Sequence, residues 1–276
     1  MLTYSIFLIL FIGTPLIFFC IFYLKNYQKG DENRKKTIRR ILIAIVVLII
    51  VAIIYTSPWD NYLVENAIWY YDPSKTMGLL IGFVPIEEYF FFVVQTLLVG
   101  LFFGLTFLKK NSIKHKQYDH RLSLQLISVF ALLIIWFIAC FAFINDLESL
   151  TYLNLIILWG IPPIMIQLLY GVDILLLFRQ DLLLTISLST IYLAIADAIA
   201  INNGIWTISS GTSTNLLLVG VLPIEEFLFF LVTNILITFG LTLIIDSRSI
   251  NRFNGLYSPL KQRIFKKSSV PTDYEK

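Results

Sequence analysis

Gly82-Phe83-Val84-Pro85-Ile86-Glu87-Glu88-Tyr89-Phe90-Phe91-Phe92 sets two adjacent carboxylates in apolar sequence that runs from Gly78 to Leu108. The same tetrapeptide returns as Pro223-Ile224-Glu225-Glu226, between the apolar runs Leu216–Leu222 and Phe227–Ile245. Neither run contains a Lys, Arg or His that would neutralise the acids. A charged Asp or Glu at the centre of a membrane helix costs about 2.5–3.5 kcal/mol on insertion scales. Four ionised groups would cost on the order of 10 kcal/mol. Protonation is the cheaper solution, because desolvation and a neighbouring carboxylate both favour the neutral acid. Such a pair is a proton donor in a dry place. A helix-packing hydrogen bond is the plainer account, and repetition of the whole tetrapeptide argues against it.

Composition sets the class. Of 276 residues, 58% are hydrophobic and 14% charged, with mean hydropathy +0.80. Only helices and closed barrels satisfy their backbone in lipid, and these apolar runs are too long for barrel strands. The expectation is an all-α integral membrane protein with seven transmembrane helices, at about 2–24, 41–57, 78–108, 123–145, 153–178, 182–201 and 215–245. The first run has no basic residues before it and is long enough to span, so it reads as a helix rather than a signal peptide.

Lys25, Lys29, Arg34, Lys35, Lys36, Arg39 and Arg40, then Lys109, Lys110, Lys114, Lys116 and Arg121, then Arg179 and the tail after Ile245, all fall on one side of that arrangement. The opposite loops hold mainly Asp60, Glu65, Asp72, Asp146 and Glu148. The positive-inside rule then puts the N-terminus outside and the C-terminus in the cytoplasm of a multi-pass cell-membrane protein. The net charge of +3 belongs to these flanks and implies no nucleic acid. The basic tail is expected to be disordered and drawn to anionic lipid. Cys20 and Cys140 lie within spans as packing residues, and His115 and His120 have no acidic or Cys neighbours that would make a metal site. No dinucleotide fingerprint, phosphate loop or nucleophile elbow occurs.

Self-similarity organises the rest. Asp60, Asn66 and Trp69 precede the first tetrapeptide, and Asp197, Asn203 and Trp206 precede the second with the same internal spacing. From Trp to Pro the second copy is one residue longer. Phe91-Phe92 matches Phe229-Phe230, Gly82 matches Gly220, and Tyr4 with Pro15 matches Tyr152 with Pro163 at equal separation. A three-span unit that starts outside ends inside, so a second copy in the same orientation needs one more crossing. The expected architecture is a parallel duplication with span 4 as adaptor, unlike the inverted repeats of many transporters. Its parts are a first three-helix repeat (1–108), a basic loop and adaptor helix (109–150), a second repeat (151–245) and a basic tail (246–276).

Both acidic pairs then sit near the outer ends of helices running in one direction, and a pseudo-twofold axis along the membrane normal brings them to one cavity. Adjacent glutamates point about 100° apart on a helix, so the members of a pair differ in role. Proline in each motif either starts the helix or kinks it. One turn on, Phe91, Phe92, Phe229 and Phe230 offer faces that stabilise a cation, although Phe is common in membrane helices. Asp197 is deep enough to be a further intramembrane acid, and Asp60 is nearer the boundary; each serves equally as a proton relay or as a hydrogen bond holding the Asn/Trp segment. Asn66 and Asn203 are candidates to orient a carboxylate, and Trp69 and Trp206 read equally as interface anchors.

The stretch from Ile54 to Leu101, with Pro58-Trp59-Asp60-Asn61-Tyr62, Ile68-Trp69 and Pro85-Ile86-Glu87-Glu88, resembles the flavin-independent lycopene cyclase family. The chain is similar to the fused form of its two small membrane subunits over nearly all its length except the tail. The family's acidic motif maps onto Glu87, Glu88, Glu225 and Glu226. The second copy departs upstream, with Ala196 where the first has Trp59. The resemblance implies that these four glutamates are catalytic and that the substrate is lycopene drawn from the bilayer. It implies no redox cofactor and no metal, with other carotenoid-biosynthesis enzymes as partners. Related branches elongate or hydrate carotenoids. Paired intramembrane acids also suit a proton-coupled transporter, against which stand the parallel repeat and the lack of a basic counter-residue.

Overall fold

The computed structural model describes residues 2–109 and 121–255. His115, His120 and the basic tail from residue 256 onward lie outside the described residues. Seven helices are long and apolar enough to cross a membrane: α1 Tyr4–Lys29, α2 Glu32–Glu65, α3 Ile86–Leu108, α4 Arg121–Ile144, α5 Glu148–Leu177, α6 Arg179–Asn202 and α7 Ile224–Ile245. At 1.5 Å per residue even α7 is about 33 Å long, enough for a hydrocarbon core of about 30 Å. The chain is a multi-pass membrane protein. Its outward apolar residues, such as Phe18, Ile54, Phe130 and Ile138, are more than half exposed, as lipid-facing positions require.

Helices α3 and α7 form the centre, each more than half buried. They pack on one another, with α2 and α6 beside them and α5 against α7. Helix α4 packs mainly on α5 and is largely exposed. Glycines allow close approach at the centre: a Cβ on Gly104 would sit 1.9 Å from the Tyr23 hydroxyl, which donates to the Leu101 carbonyl at 3.1 Å.

Three spans differ from the expectation: α2 runs over Glu32–Glu65 rather than 41–57, which takes Asp60 and Glu65 from the expected loop into the helix, and two later spans start further on. The apolar residues 78–85 and 215–223 are not helix; each folds into a hairpin that precedes α3 or α7. Strand β2 (Leu80–Ile81) pairs with β3 (Val84–Pro85), and β5 (Leu217–Leu218) pairs with β6 (Leu222–Pro223). Gly82 at φ +67 takes the first position of a two-residue loop, which L side chains resist. The extra residue of the second copy lies in the hairpin loop, where Val219-Gly220-Val221 stand opposite Gly82-Phe83. Proline then starts each helix, since the residue after it enters the first turn and its missing N–H is not needed there. The tail expectation also changes: residues 247–255 are helical, and Arg252 pairs with Asp173 at 2.8 Å.

The two matched segments meet directly. Strand β1 (Trp69–Tyr71) pairs antiparallel with β4 (Trp206–Ile208), in the register Trp69 to Ile208, Tyr70 to Thr207 and Tyr71 to Trp206. Tyr70 faces its own match, and Trp69 and Tyr71 each face the match of the other, as a twofold relation between the strands produces.

Candidate functional site

The two hairpins deliver Glu87-Glu88 and Glu225-Glu226 to the first turns of α3 and α7. There the free N–H groups and helix dipole favour negative charge. All four side chains are buried, but the 100° step separates them. Glu87 accepts the backbone N–H of Met77 at 2.6 Å, and Glu225 accepts that of Thr214 at 2.6 Å. These two tie the preceding loop to the helix, with their second oxygens unpartnered. Neither lines the cavity that their neighbours share.

Glu88 and Glu226 do line one cavity, together with Asp197, Tyr4, Tyr71, Trp69 and Trp206. Phe91, Phe229 and Phe230 complete its walls. Tyr4 donates to Glu88 Oε2 through a short hydrogen bond, and Tyr71 donates to the same oxygen at 2.9 Å. Tyr152 donates to Glu226 Oε1 at 2.7 Å, and Trp69 Nε1 donates to it at 3.2 Å. Burial pushes the Tyr71 hydroxyl up, and the Glu88 carboxylate adds to this, so Tyr71 stays a donor. No basic side chain lines the cavity. Its volume of about 10 Å³ is close to that of a single water position.

Of the two aspartates, Asp197 lines the same cavity. Asp197 Oδ1 accepts Trp206 Nε1 at 2.9 Å, and its Oδ2 is buried without a partner. Asp60 is 1% exposed, with Oδ2 likewise unpartnered. It does not line the cavity. Trp69 and Trp206 are buried, not interface anchors.

The asparagines stand apart. Asn66 and Asn203 are exposed and cap the C-termini of α2 and α6, each donating to the carbonyl one turn back, at 2.8 and 2.7 Å. An Asn that ends an apolar helix is occupied there by the open carbonyls of the last turn. Phe92 is buried but lines a neighbouring groove rather than the acid cavity. The tyrosines were missed as site residues. Tyr4 and Tyr152 carried a signal in their matched spacing, and Tyr71 carried none, its counterpart being Ile208. Among the described residues there is no group of His, Cys, Asp and Glu that could hold a metal ion.

Residues 1–108 match the family model described as lycopene cyclase. A protein named lycopene beta-cyclase from Halobacterium salinarum is 30% identical over 243 residues, which cover 87% of this chain and 95% of that one. Fungal proteins named bifunctional lycopene cyclase/phytoene synthase are also similar. The Aspergillus oryzae protein is 34% identical over 71% of this chain and 33% of its own length. The Leptosphaeria maculans protein is 38% identical over 70% and 34%. The chain thus spans about a third of the length of these fungal relatives. No solved structure matches.

Proposed function

The chain belongs to the lycopene cyclase family, and from that membership we propose that it cyclises the ψ-end groups of lycopene to β-rings by proton transfer within the membrane. The observation that carries the chemistry is the single cavity shared by Glu88 and Glu226, walled by aromatic rings and free of basic side chains.

The reaction is an isomerisation, so atoms and electrons balance within the substrate. A proton added at C2 leaves a tertiary cation at C1. The C5–C6 double bond attacks C1, forming the C1–C6 bond and moving the cation to C5. Loss of the C6 proton leaves the C5–C6 double bond of a β-ring. The protein supplies an acid, a base and surfaces that tolerate a cation. One of Glu88 and Glu226 gives the proton and the other receives one, with Asp197 completing a cluster in which full ionisation is opposed by mutual repulsion. Tyr4, Tyr71, Tyr152 and Trp69 fix which oxygens stay hydrogen-bonded. Phe91, Phe229 and Phe230 face the cation through their ring quadrupoles. Glu87 and Glu225 act one step away, holding the hairpins that seat the acids.

The chain is read further as a parallel duplication of a three-helix unit with α4 as adaptor, its N-terminus outside and C-terminus cytoplasmic. Supporting this are the self-matched β1–β4 register and the paired bonds of Tyr4 with Glu88 and Tyr152 with Glu226. The Met77–Glu87 and Thr214–Glu225 bonds form a second such pair. The charge asymmetry of the loops supports the orientation. Expression in a lycopene-accumulating bacterium tests the activity: chromatography should show β-ring carotenoid, and lycopene left wholly linear would refute it.

A further inference from the structure

The acid cavity, at about 10 Å³, has no room for a substrate end group, so the substrate must reach it from an adjoining space. Among the larger apolar grooves, one of about 540 Å³ lies beside the β5–β6 hairpin and another of about 310 Å³ lies between α1, α3 and α6. Neither shares a lining residue with the acid cavity. A third, of about 180 Å³ between α2, α3, α5 and α7, does. Phe229 lines both it and the cavity.

We infer that this third groove holds the conjugated polyene chain of the substrate, with Phe229 as the partition between chain and reacting end; the assignment rests on the cyclase reading above. Phe229 lies one turn below the acids, and the groove follows α7 to Ile237, about 12 Å further at 1.5 Å per residue. Its lining carries no charged side chain, which suits a hydrocarbon. The partition is a stack: Trp59 lies 4.8 Å from Trp159 and 5.7 Å from Phe229, with interplanar angles of 22° and 8°. Of these stacked rings Trp159 and Phe229 line the groove, as an aromatic wall against which a flat conjugated chain can lie. Trp159 is buried, and its Nε1 has no hydrogen-bond partner. A polyene π-face is an acceptor for such an N–H.

The groove between α1, α3 and α6 is the sequence match of this one, and the comparison shows what differs. Tyr55 donates to the Trp159 carbonyl at 2.8 Å, and the matched Tyr192 donates to the Phe11 carbonyl. Pro163 and Gln167 on one side stand where Pro15 and Phe19 stand on the other. At the partition, however, Trp59 and Trp159 are replaced by Ala196 and Phe11. The tryptophan stack exists on one side of the molecule.

The matched positions give the experiment its control. Val51→Trp and Ala52→Phe narrow the proposed groove from α2, and Leu188→Trp makes the counterpart change in the other groove. In lycopene-accumulating cells, with pigment normalised to protein in the membrane, the first two should lose cyclised product by about 10²-fold, the effect of misplacing a reacting group. Leu188→Trp should stay near wild type. A measurement independent of turnover uses Glu88→Gln protein purified from the same cells. Lycopene should co-purify with it, and adding Val51→Trp should remove the bound pigment. A cyclising wild type whose Val51→Trp and Ala52→Phe variants match it would overturn the groove assignment alone. A wild type that leaves lycopene linear would overturn the cyclase reading and this inference with it.

Discussion

Trp69 Nε1, beside the first acidic motif, donates to Glu226 of the second at 3.2 Å. Its match, Trp206, does not return the bond to Glu88; it donates to Asp197 at 2.9 Å. Glu88 receives Tyr71 instead, and the matched position, Ile208, has no donor. The two acids therefore have different partners despite identical tetrapeptides. That difference is what an acid and a base in one cavity require. Trp69→Phe keeps an aromatic ring but removes the donor, and removing one partner of a buried hydrogen bond costs about 1–3 kcal/mol. Turnover should fall by about 10–10²-fold, with membrane abundance near wild type on immunoblots. Unchanged turnover would mean that the cross-motif bond does not position Glu226.

Tyr4 and Tyr152 supply the matched bonds, one to each acid. Tyr4→Phe and Tyr152→Phe should each slow cyclisation by about 10-fold or more. Both residues are also fully buried core side chains, and Phe preserves that packing. Thermal unfolding of the purified variants in detergent should shift by only a few degrees. A large loss of stability with normal specific activity would make the tyrosines packing residues.

How far the chain could be read from sequence follows from which forces act locally. The seven spans were legible because burial in lipid demands long apolar runs. Their boundaries at residues 78–85 and 215–223 were not, because those hairpins are as apolar as the helices they precede. Leu79, Leu80, Leu216 and Val219 are exposed hydrophobics, and only Gly78, Gly82 and Pro85 marked the turn. The shared acid cavity was legible from the matched motifs. Which glutamate faces it depends on where the helix starts, since one residue turns a side chain by about 100°. Asn66 and Asn203 misled for another reason: each stands six residues after an acid, and its side chain is occupied by its own helix end.

Orientation is testable with tags. An epitope at the N-terminus or near Asp146 should be reached by antibody on intact cells or spheroplasts, and one at the C-terminus only after permeabilisation. An N-terminal tag accessible only from the cytoplasm would overturn both the orientation and the adaptor role of α4.

The proposed chemistry consumes no electrons. Purified protein in liposomes loaded with lycopene should form β-rings without added flavin, nicotinamide or divalent metal, and EDTA should leave the rate unchanged. A strict need for reduced flavin would require a role for it that proton transfer by Glu88 and Glu226 does not contain.

The sharpest test separates the two members of each motif. Glu88→Gln and Glu226→Gln keep shape and an accepting oxygen but remove the transferable proton, so each should lose about 10²–10⁴-fold in rate, the usual contribution of a general acid or base. Glu87→Gln and Glu225→Gln make the same exchange in side chains that face the loops. The Gln carbonyl can still accept the N–H of Met77 or Thr214, so these variants should remain within about tenfold of wild type, the worth of roughly 1.4 kcal/mol. Glu87→Ala and Glu225→Ala delete the acceptor of a part-buried N–H, at about 1 kcal/mol. They should lower abundance and activity together. The readout is cyclised product per unit of protein in the membrane, alongside thermal stability. Loss of rate in all four Gln variants alike would place Glu87 and Glu225 in the proton path. Wild-type rates in Glu88→Gln and Glu226→Gln would remove the acids from the mechanism altogether.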